Sequence, residues 1–444
     1  MRPFTLFALL CCTIPLPAQD PLSLQEAVET ALGRHPAIEA SASNTRAADA
    51  RIRQARSGYL PKLDYSEAYQ RSNNPVYVFS SLLTQHQFAV ENFEIGRLNR
   101  PDALNNFQSL LTAEQILYDA GRTKKQVEAA EIGRNLASED ERGARMSVIL
   151  GVVRAYYGAV LANEGLQVAR EAVRSAEADL ERAEAVRQAG MSTDADVLSI
   201  RVHLAAMREQ EIRRVHELDV ARAALNEALG LPLETPHQLT TPLAAASVAY
   251  APELEKSALS ERPEARQSDL RSRLARTQAD GARAAYFPQV FARGVFEADR
   301  QRFVTRGGAN WMFAAGLRWN LFNGFADRAR IEEAGHAAAA AQSQQEQTSR
   351  AVQLQVRGAL SNLSAAEERI KVAEAAVGMA EESLRITKNR FDNGLSTVTD
   401  LLRNETALLE ARMRHLSAIH DQRVAAAAVE RAAGTLSTAS NVLR

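Results

Sequence analysis

Apolar positions along this chain follow two periods. Leu166, Ala169, Val173, Ala176, Leu180 and Ala183 alternate spacings of three and four. Far downstream, Ile370, Ala373, Val377, Ala380, Leu384 and Thr387 do the same. That is an a/d seam, the mark of helices packed side by side, and small Ala at many seam positions lets them approach closely. No proline occurs from Asp102 to Leu231, or anywhere after Pro288. An interior proline costs a helix about 3 kcal/mol or more, so these spans permit very long helices. One from about Ala120 to Ala189 would run roughly 100 Å at 1.5 Å per residue.

Elsewhere the period is two. Trp311, Phe313, Ala315, Leu317, Trp319 and Leu321 share one face of an extended segment, and Met312, Ala314, Gly316, Arg318 and Asn320 the other. "PQVFARGVFEADR" alternates as well, with Gly307-Gly308 expected at the tip of the hairpin it forms. "PKLDYSEAYQR" and "NFQSLLTAEQILY" alternate more weakly. A soluble sheet gives this pattern as readily as a membrane barrel does. Rims of Trp and Tyr, polar opposite faces and an export-like N-terminus together favour the barrel. Four strands cannot close on themselves, and an open edge is not tolerated in lipid. Several chains would therefore have to share one barrel.

Both periods occur twice because the chain is duplicated. A shift of 204 positions lays "LYDAGRTKKQVEAAE" from Leu117 on "LFNGFADRARIEEAG" from Leu321. It carries Gly190-Met191-Ser192-Thr193 onto Gly394-Leu395-Ser396-Thr397, Asp196 onto Asp400, and Gly230 onto Gly434. Upstream the shift becomes 227, where "ARSGYLPKL" from Ala55 meets "ARAAYFPQV" from Ala282. One insertion in the first copy, between Leu63 and Leu117, accounts for the difference. So long a period excludes a solenoid of small repeats. Gly190 and Gly394 stand where each seam stops, as glycine does just past a helix end. Ser192 or Thr193, and Ser396 or Thr397, can cap the next helix, with Asp in its first turn. Each phrase is a tight reversal between antiparallel helices, returning to about Leu229 and about Ala433.

The expected fold is mainly α with a small β part. An export segment spans 1–18. The first repeat, 19–230, holds a helix, a β-hairpin at about 61–118, a long helix, a tip turn at about 189–193 and a return helix. A four-proline connector covers 231–253. The second repeat, 254–434, starts with a helix from Leu254 to about Ala285, has its hairpin at about 288–322 and its tip turn at about 393–397, and leaves a tail at 435–444.

Composition narrows the function. The formal net charge of -1 lacks the footprint of a nucleic-acid binder. Arg2, the apolar run Phe4–Leu16 and the residues around Ala18 read as an export signal, with a buried first helix as the alternative. Cleavage after Ala18 would remove Cys11 and Cys12, leaving no thiol for disulfides or metal. A lipid anchor would need Cys11 or Cys12 as the new N-terminus, with Leu10 or Cys11 where a small residue is expected. No other stretch approaches eighteen consecutive apolar residues, so no helical span is expected in the exported chain. No Walker loop, no G-x-G-x-x-G after a strand and no G-x-S-x-G occurs, and no catalytic residue, cofactor or metal site is expected. His203 and His216 lack Glu or Asp partners at ligand spacing, and His415 and His420 are off one face.

The duplication, the phrases entering and leaving the strands, and the two reversal phrases make the chain resemble the TolC-type outer-membrane efflux protein family. The inserted segment from Val76 to Phe107 is similar to the long external loop of many members. The resemblance covers essentially the whole exported chain. It implies a homotrimer with a twelve-stranded barrel in the outer membrane and a twelve-helix tunnel across the periplasm. It further implies a periplasmic adaptor docking on the tip turns and an inner-membrane transporter, in an efflux or type I secretion system. Asp400 would form an acidic ring at the periplasmic aperture, with Asp196 its counterpart there from the first copy; the alternative for each is a plain helix-start charge. Members often carry a second acidic residue three positions later, where this chain has Arg403, so Asp400 and Arg403 are expected to form contacts between chains that hold the tip shut. The alternative is a periplasmic coiled-coil adaptor or structural spacer.

Overall fold

The computed structural model describes residues 20–190, 192–246 and 254–443. The export segment with Cys11 and Cys12, Met191, the end of the connector and Arg444 lie outside these described residues. In chain order the elements are β1 (Asp20–Leu22), α1 (Leu24–Arg34), α2 (Pro36–Arg56), β2 (Lys62–Ser72), α3 (Pro75–Thr84), α4 (Ile95–Asn99), β3 (Leu104–Tyr118), α5 (Arg122–Gln188) and α6 (Asp194–Leu229). Then follow β4 (His237–Leu239), α7 (Leu254–Glu261), α8 (Pro263–Arg283), β5 (Gln289–Arg300), β6 (Gly307–Arg318), α9 (Ala326–Asp392) and α10 (Val398–Ala433). The helix expected from Leu254 to Ala285 is two helices, because Pro263 has no N–H to continue α7 and instead opens α8.

Residues 43–139 and 267–347 form one compact unit. Its sheet runs β2-β3-β5-β6, antiparallel throughout, so β2 and β6 are free edges. The register lines up Tyr65 with Leu111, Leu111 with Phe296, and Phe296 with Trp311. That face, which also carries Leu63, Tyr69, Phe313 and Leu317, is largely exposed. Asn106, Gln108, Glu297, Asp299 and Asn310 share the other face. Between β2 and β3 the chain is not a bare loop. Asn74 caps α3, with Pro75 as its first residue, and accepts from the Val76 and Tyr77 N–H groups. The segment after it lies on the polar face. Buried Gln85 donates to the Asn105 carbonyl and Asn106 Oδ1, Asn106 donates to Asp299 at 2.5 Å, and the His86 ring meets Asn310 at 3.2 Å. The hairpin tip is residues 301–306, and Gly307-Gly308 open β6. A Cβ on Gly308 would come within 2.5 Å of the His86 ring, so this glycine admits the inserted segment.

Both long helices start from the same turn. Ala120-Gly121 and Gly324-Phe325 take positive φ, and Asp119 and Asn323 then accept from the N–H groups of Thr123 and Asp327. Residues 20–42, 140–266 and 348–443 belong to the second unit. Its core gathers Leu24, Val28, Val152, Tyr156, Tyr157, Leu229, Ala426 and Leu443. A short parallel pair, β1 with β4, edges it. Tyr156 is fully buried, donates to the Leu22 carbonyl at 2.8 Å and accepts from Thr241 N–H at 2.9 Å. The most apolar stretch of α5 is long enough to cross a membrane, but 56% of it is buried within the protein, which marks a core helix.

Candidate functional site: the paired helix reversals

The site is built from two near-copies. After α5, Gly190 takes φ 77° and its N–H donates to the Arg187 carbonyl. After α9, Gly394 takes φ 70° and its N–H donates to the Phe391 carbonyl. Both lie in the left-handed region that suits glycine, which is why neither seam runs on. Thr193 and Thr397 then cap α6 and α10. Their hydroxyls accept from the Asp196 and Asp400 N–H groups, each at 3.2 Å, while each Asp carboxylate accepts from the same threonine's hydroxyl at 2.7 Å. Ser192 and Ser396 donate to the same two carboxylates. These are reciprocal capping boxes with Asp at the third helical position. The bonds from Thr193 and Thr397 hold both carboxyls below their usual range, with Arg403 adding a smaller effect at Asp400. Asp196 and Asp400 therefore carry charge and are committed to the caps.

Within the chain Asp400 and Arg403 form no salt bridge among the described residues; Arg403 is exposed. Leu395, at the corner of the second reversal, is 68% exposed. Behind the caps, Ala183, Val197, Ile200 and Val398 pack into one buried cluster. It joins the two hairpins.

A polar cluster that the sequence did not assemble lies about 10–20 Å behind the reversals, at 1.5 Å of rise per residue. All four long helices contribute. From α5 come Ser175 and Asp179, from α6 His203, from α9 Lys388, and from α10 Glu405. Lys388 Nζ stands 3.4 Å from Asp179 and 3.3 Å from Glu405 and donates to Ser175 at 3.0 Å. Ser175 donates to Glu405 at 2.9 Å, and His203 Nε2 lies 3.4 Å from Glu405. Asp179 and Glu405 are buried. Burial pushes the Asp179 carboxyl up, to about 7, and the neighbouring Glu405 pushes the same way. Burial alone would raise Glu405 too, but hydrogen bonds from His203, Asp179 and Ser175, with the Lys388 charge, hold it down at about 2. His203 thus does have an acidic partner, on another helix, where sequence spacing cannot show it.

The sequence profile of the outer membrane efflux protein family matches residues 27–231 and 254–435. The chain belongs to that family. CyaE of Bordetella pertussis is 26% identical over 96% of this chain and 86% of its own length. The outer membrane protein OprJ of Pseudomonas aeruginosa is 23% identical over 84% of this chain and 75% of its own. The crystal structure of the Campylobacter jejuni CmeC outer membrane channel superposes with a TM-score of 0.78 at 18% identity, covering 94% of this chain and 87% of that one. This protein is accordingly an outer-membrane exit duct of an efflux or type I secretion system, with its helical part in the periplasm, and not an adaptor or spacer.

Proposed function

We propose that three copies of this chain form the duct and that its paired reversals are the periplasmic mouth on which an adaptor docks. The free edges of the four-stranded sheet carry the trimer. Their unpaired backbone groups have no partner in lipid, while the exposed apolar face needs lipid around it. Because the strands alternate in direction, β6 of one copy can pair antiparallel with β2 of the next and continue the ladder around a closed ring. Three copies make twelve strands, a number with room for a polar lumen on the side of the sheet that carries Asn106, Asp299 and the inserted segment. Purified in detergent, the chain should run at three times its mass and conduct ions in a planar bilayer. A detergent-free soluble monomer would rule this out.

At the mouth, Gly190, Met191, Ser192 and Thr193 and their counterparts Gly394, Leu395, Ser396 and Thr397 present the docking surface, and exposed Leu395 is the apolar contact for an adaptor. Leu395→Asp should abolish adaptor capture and leave the trimer intact. Asp400 and Arg403, repeated around the three-fold axis with Asp196 behind them, would line the aperture and pair between copies. Unchanged conductance and ion selectivity in Asp400→Ala would remove Asp400 from that role. An inner-membrane transporter supplies the energy and the choice of cargo.

A further inference from the structure

The cluster behind the reversals sets three carboxylates, two of them buried, against two cations. Around Asp179 stand Arg182 on α5, His203 on α6, Lys388 and Asp392 on α9, and Glu405 on α10. Glu171 and Arg412 line its edge and pair with each other at 3.0 Å. Lys388 and Arg182 face three carboxylates, the buried Asp179 and Glu405 and the half-exposed Asp392. Arg182 is split between two of them, at 3.4 and 3.6 Å. Buried charge left over in this way is expensive, and the group takes up a proton instead. The geometry shows where. Asp179 Oδ2 and Glu405 Oε2 are both buried without a well-formed hydrogen bond: Lys388 stands 3.4 Å from the first and His203 3.4 Å from the second, and Lys388 Nζ, 3.3 Å from Glu405 Oε1, holds the two carboxyls side by side. A single proton between two neighbouring acceptors supplies the short hydrogen bond that these distant donors do not.

We propose that Asp179 and Glu405 share one proton, and that this proton fastens the α5–α6 hairpin to the α9–α10 hairpin just behind the mouth. Asp179 carries it, because Glu405 already has Ser175, His203 and Lys388 as donors. A cleft of about 260 Å³ lined by Ser175, His203, Met207, Leu384, Glu405 and Arg412 reaches the Glu405 side of the pair. When the proton leaves, two adjacent carboxylates remain with Lys388 between them, and the least costly relief is for the hairpins to part and admit solvent. The mouth thereby becomes responsive to periplasmic pH. That use rests on the function proposed above; the shared proton does not.

The test reads the pairing alone. In the full chain, with Cys11 and Cys12 replaced by Ser, spin labels at Gln188→Cys and Asn389→Cys report the separation of α5 and α9. Pulsed electron resonance should give a narrow distance at about pH 5.5 that broadens and lengthens by about pH 8.5, with its midpoint near the raised Asp179 value. Asp179→Asn, whose amide replaces the shared proton as donor, should stay narrow at both. Should that variant not fold, Glu405→Gln is expected to abolish the pH response equally. Difference infrared spectra should show a buried protonated carboxyl at the lower pH in the wild type and none in Asp179→Asn. An unchanged wild-type distance overturns the proposal. So does a response that survives in Asp179→Asn, and one that survives there but disappears in His203→Gln assigns the proton to the histidine.

Discussion

The hairpin α5–α6 and the hairpin α9–α10 began as the same object. Their helices match in length, 67 and 36 residues in each copy, with the same turn, the same cap and the same final glycine. One interhelical ion pair is repeated too, Arg208–Glu177 at 2.8 Å and Arg412–Glu381 at 2.9 Å. Their surroundings differ. On α5 the seam residues Leu166, Ala169, Val173, Ala176 and Ala183 are buried, whereas their α9 counterparts are only half-buried. Val372, Met379 and Ile386, seven residues apart on α9, are exposed. Local sequence reproduces the rod and its reversal, while differences at matched positions assign one rod to the core and leave the other with apolar surface to cover. In the trimer proposed above, a neighbouring copy covers it.

The largest test falls on positions where the copies carry opposite charge. Lys388 and Glu405 correspond to Glu184 and Arg201 under the 204-residue shift. Lys388→Met leaves two buried carboxylates without their shared cation and should cost about 3 kcal/mol in thermal or denaturant unfolding at neutral pH. Acid should soften the loss. The Asp179 carboxyl, ordinarily at 3.8, sits at about 7, so between those values the folded chain holds a proton that the unfolded chain has released. That contribution is complete below the lower value and declines as pH climbs through the window. Glu405 acts oppositely: its contribution is present above its ordinary 4.5 and is lost as pH falls toward about 2. Distal packing is therefore firmest near the two ordinary values, 3.8 and 4.5, and weakens as pH rises toward about 7 or falls toward about 2. Asp179→Asn should flatten the upper limb of that curve, and an upper limb left unchanged would dissociate Asp179 from it.

A smaller effect is expected at the middle of the rods. Tyr156 on α5 corresponds to Leu360 on α9, and only the tyrosine reaches the connector. Tyr156→Phe leaves the Leu22 carbonyl and the Thr241 N–H without that partner, a cost of about 1–3 kcal/mol. Leu360→Met, a volume-conserving change, should cost less than about 1.5 kcal/mol. Equal losses would mean that the Tyr156 hydroxyl does not anchor the connector.

How much of this was legible follows the range of the forces. The reversals were readable because a glycine of positive φ, a threonine cap and an aspartate three residues on act within one turn. The long helices were readable from the seam and the missing prolines. The strands were readable by alternation, but the helical insert between β2 and β3 was not, since its Asn74–Pro75 cap lies inside a stretch that reads as a loop. The cluster around Asp179 escaped because its members come from four helices that only tertiary packing brings together. One trace was available. Asp179 sits on the seam face of α5, three residues after Ala176, where an unpaired carboxylate does not belong, and the repeat showed the charges at 184 and 201 reversed at 388 and 405.

The caps test sameness. Thr193→Ala and Thr397→Ala each remove the hydroxyl that receives the Asp N–H, and each should cost about 1 kcal/mol. The two losses should agree within experimental error, because bond lengths and burial in the two boxes agree. A markedly larger loss for Thr397 would show that the second reversal is held by contacts with another chain as well as by its own cap.

The smallest expected effect is also the most discriminating. Glu184 and Arg201 pair at 2.7 Å in an exposed setting, where such pairs contribute about 0.2–1 kcal/mol. Reversing both, with Glu184→Lys and Arg201→Glu, copies the charge order of the second hairpin into the first. The pair can re-form with opposite sense in solvent, so unfolding should shift by no more than about 0.5 kcal/mol. The reciprocal exchange, Lys388→Glu with Glu405→Arg, preserves the same pair on paper. There it should be far more damaging, because Asp179 then meets a carboxylate where its ammonium partner stood, while Ser175 and His203 lose the carboxylate they bind. If the two exchanges cost the same, the distal cluster is merely a surface pair that happens to be covered, and the difference between the hairpins lies only in their apolar faces.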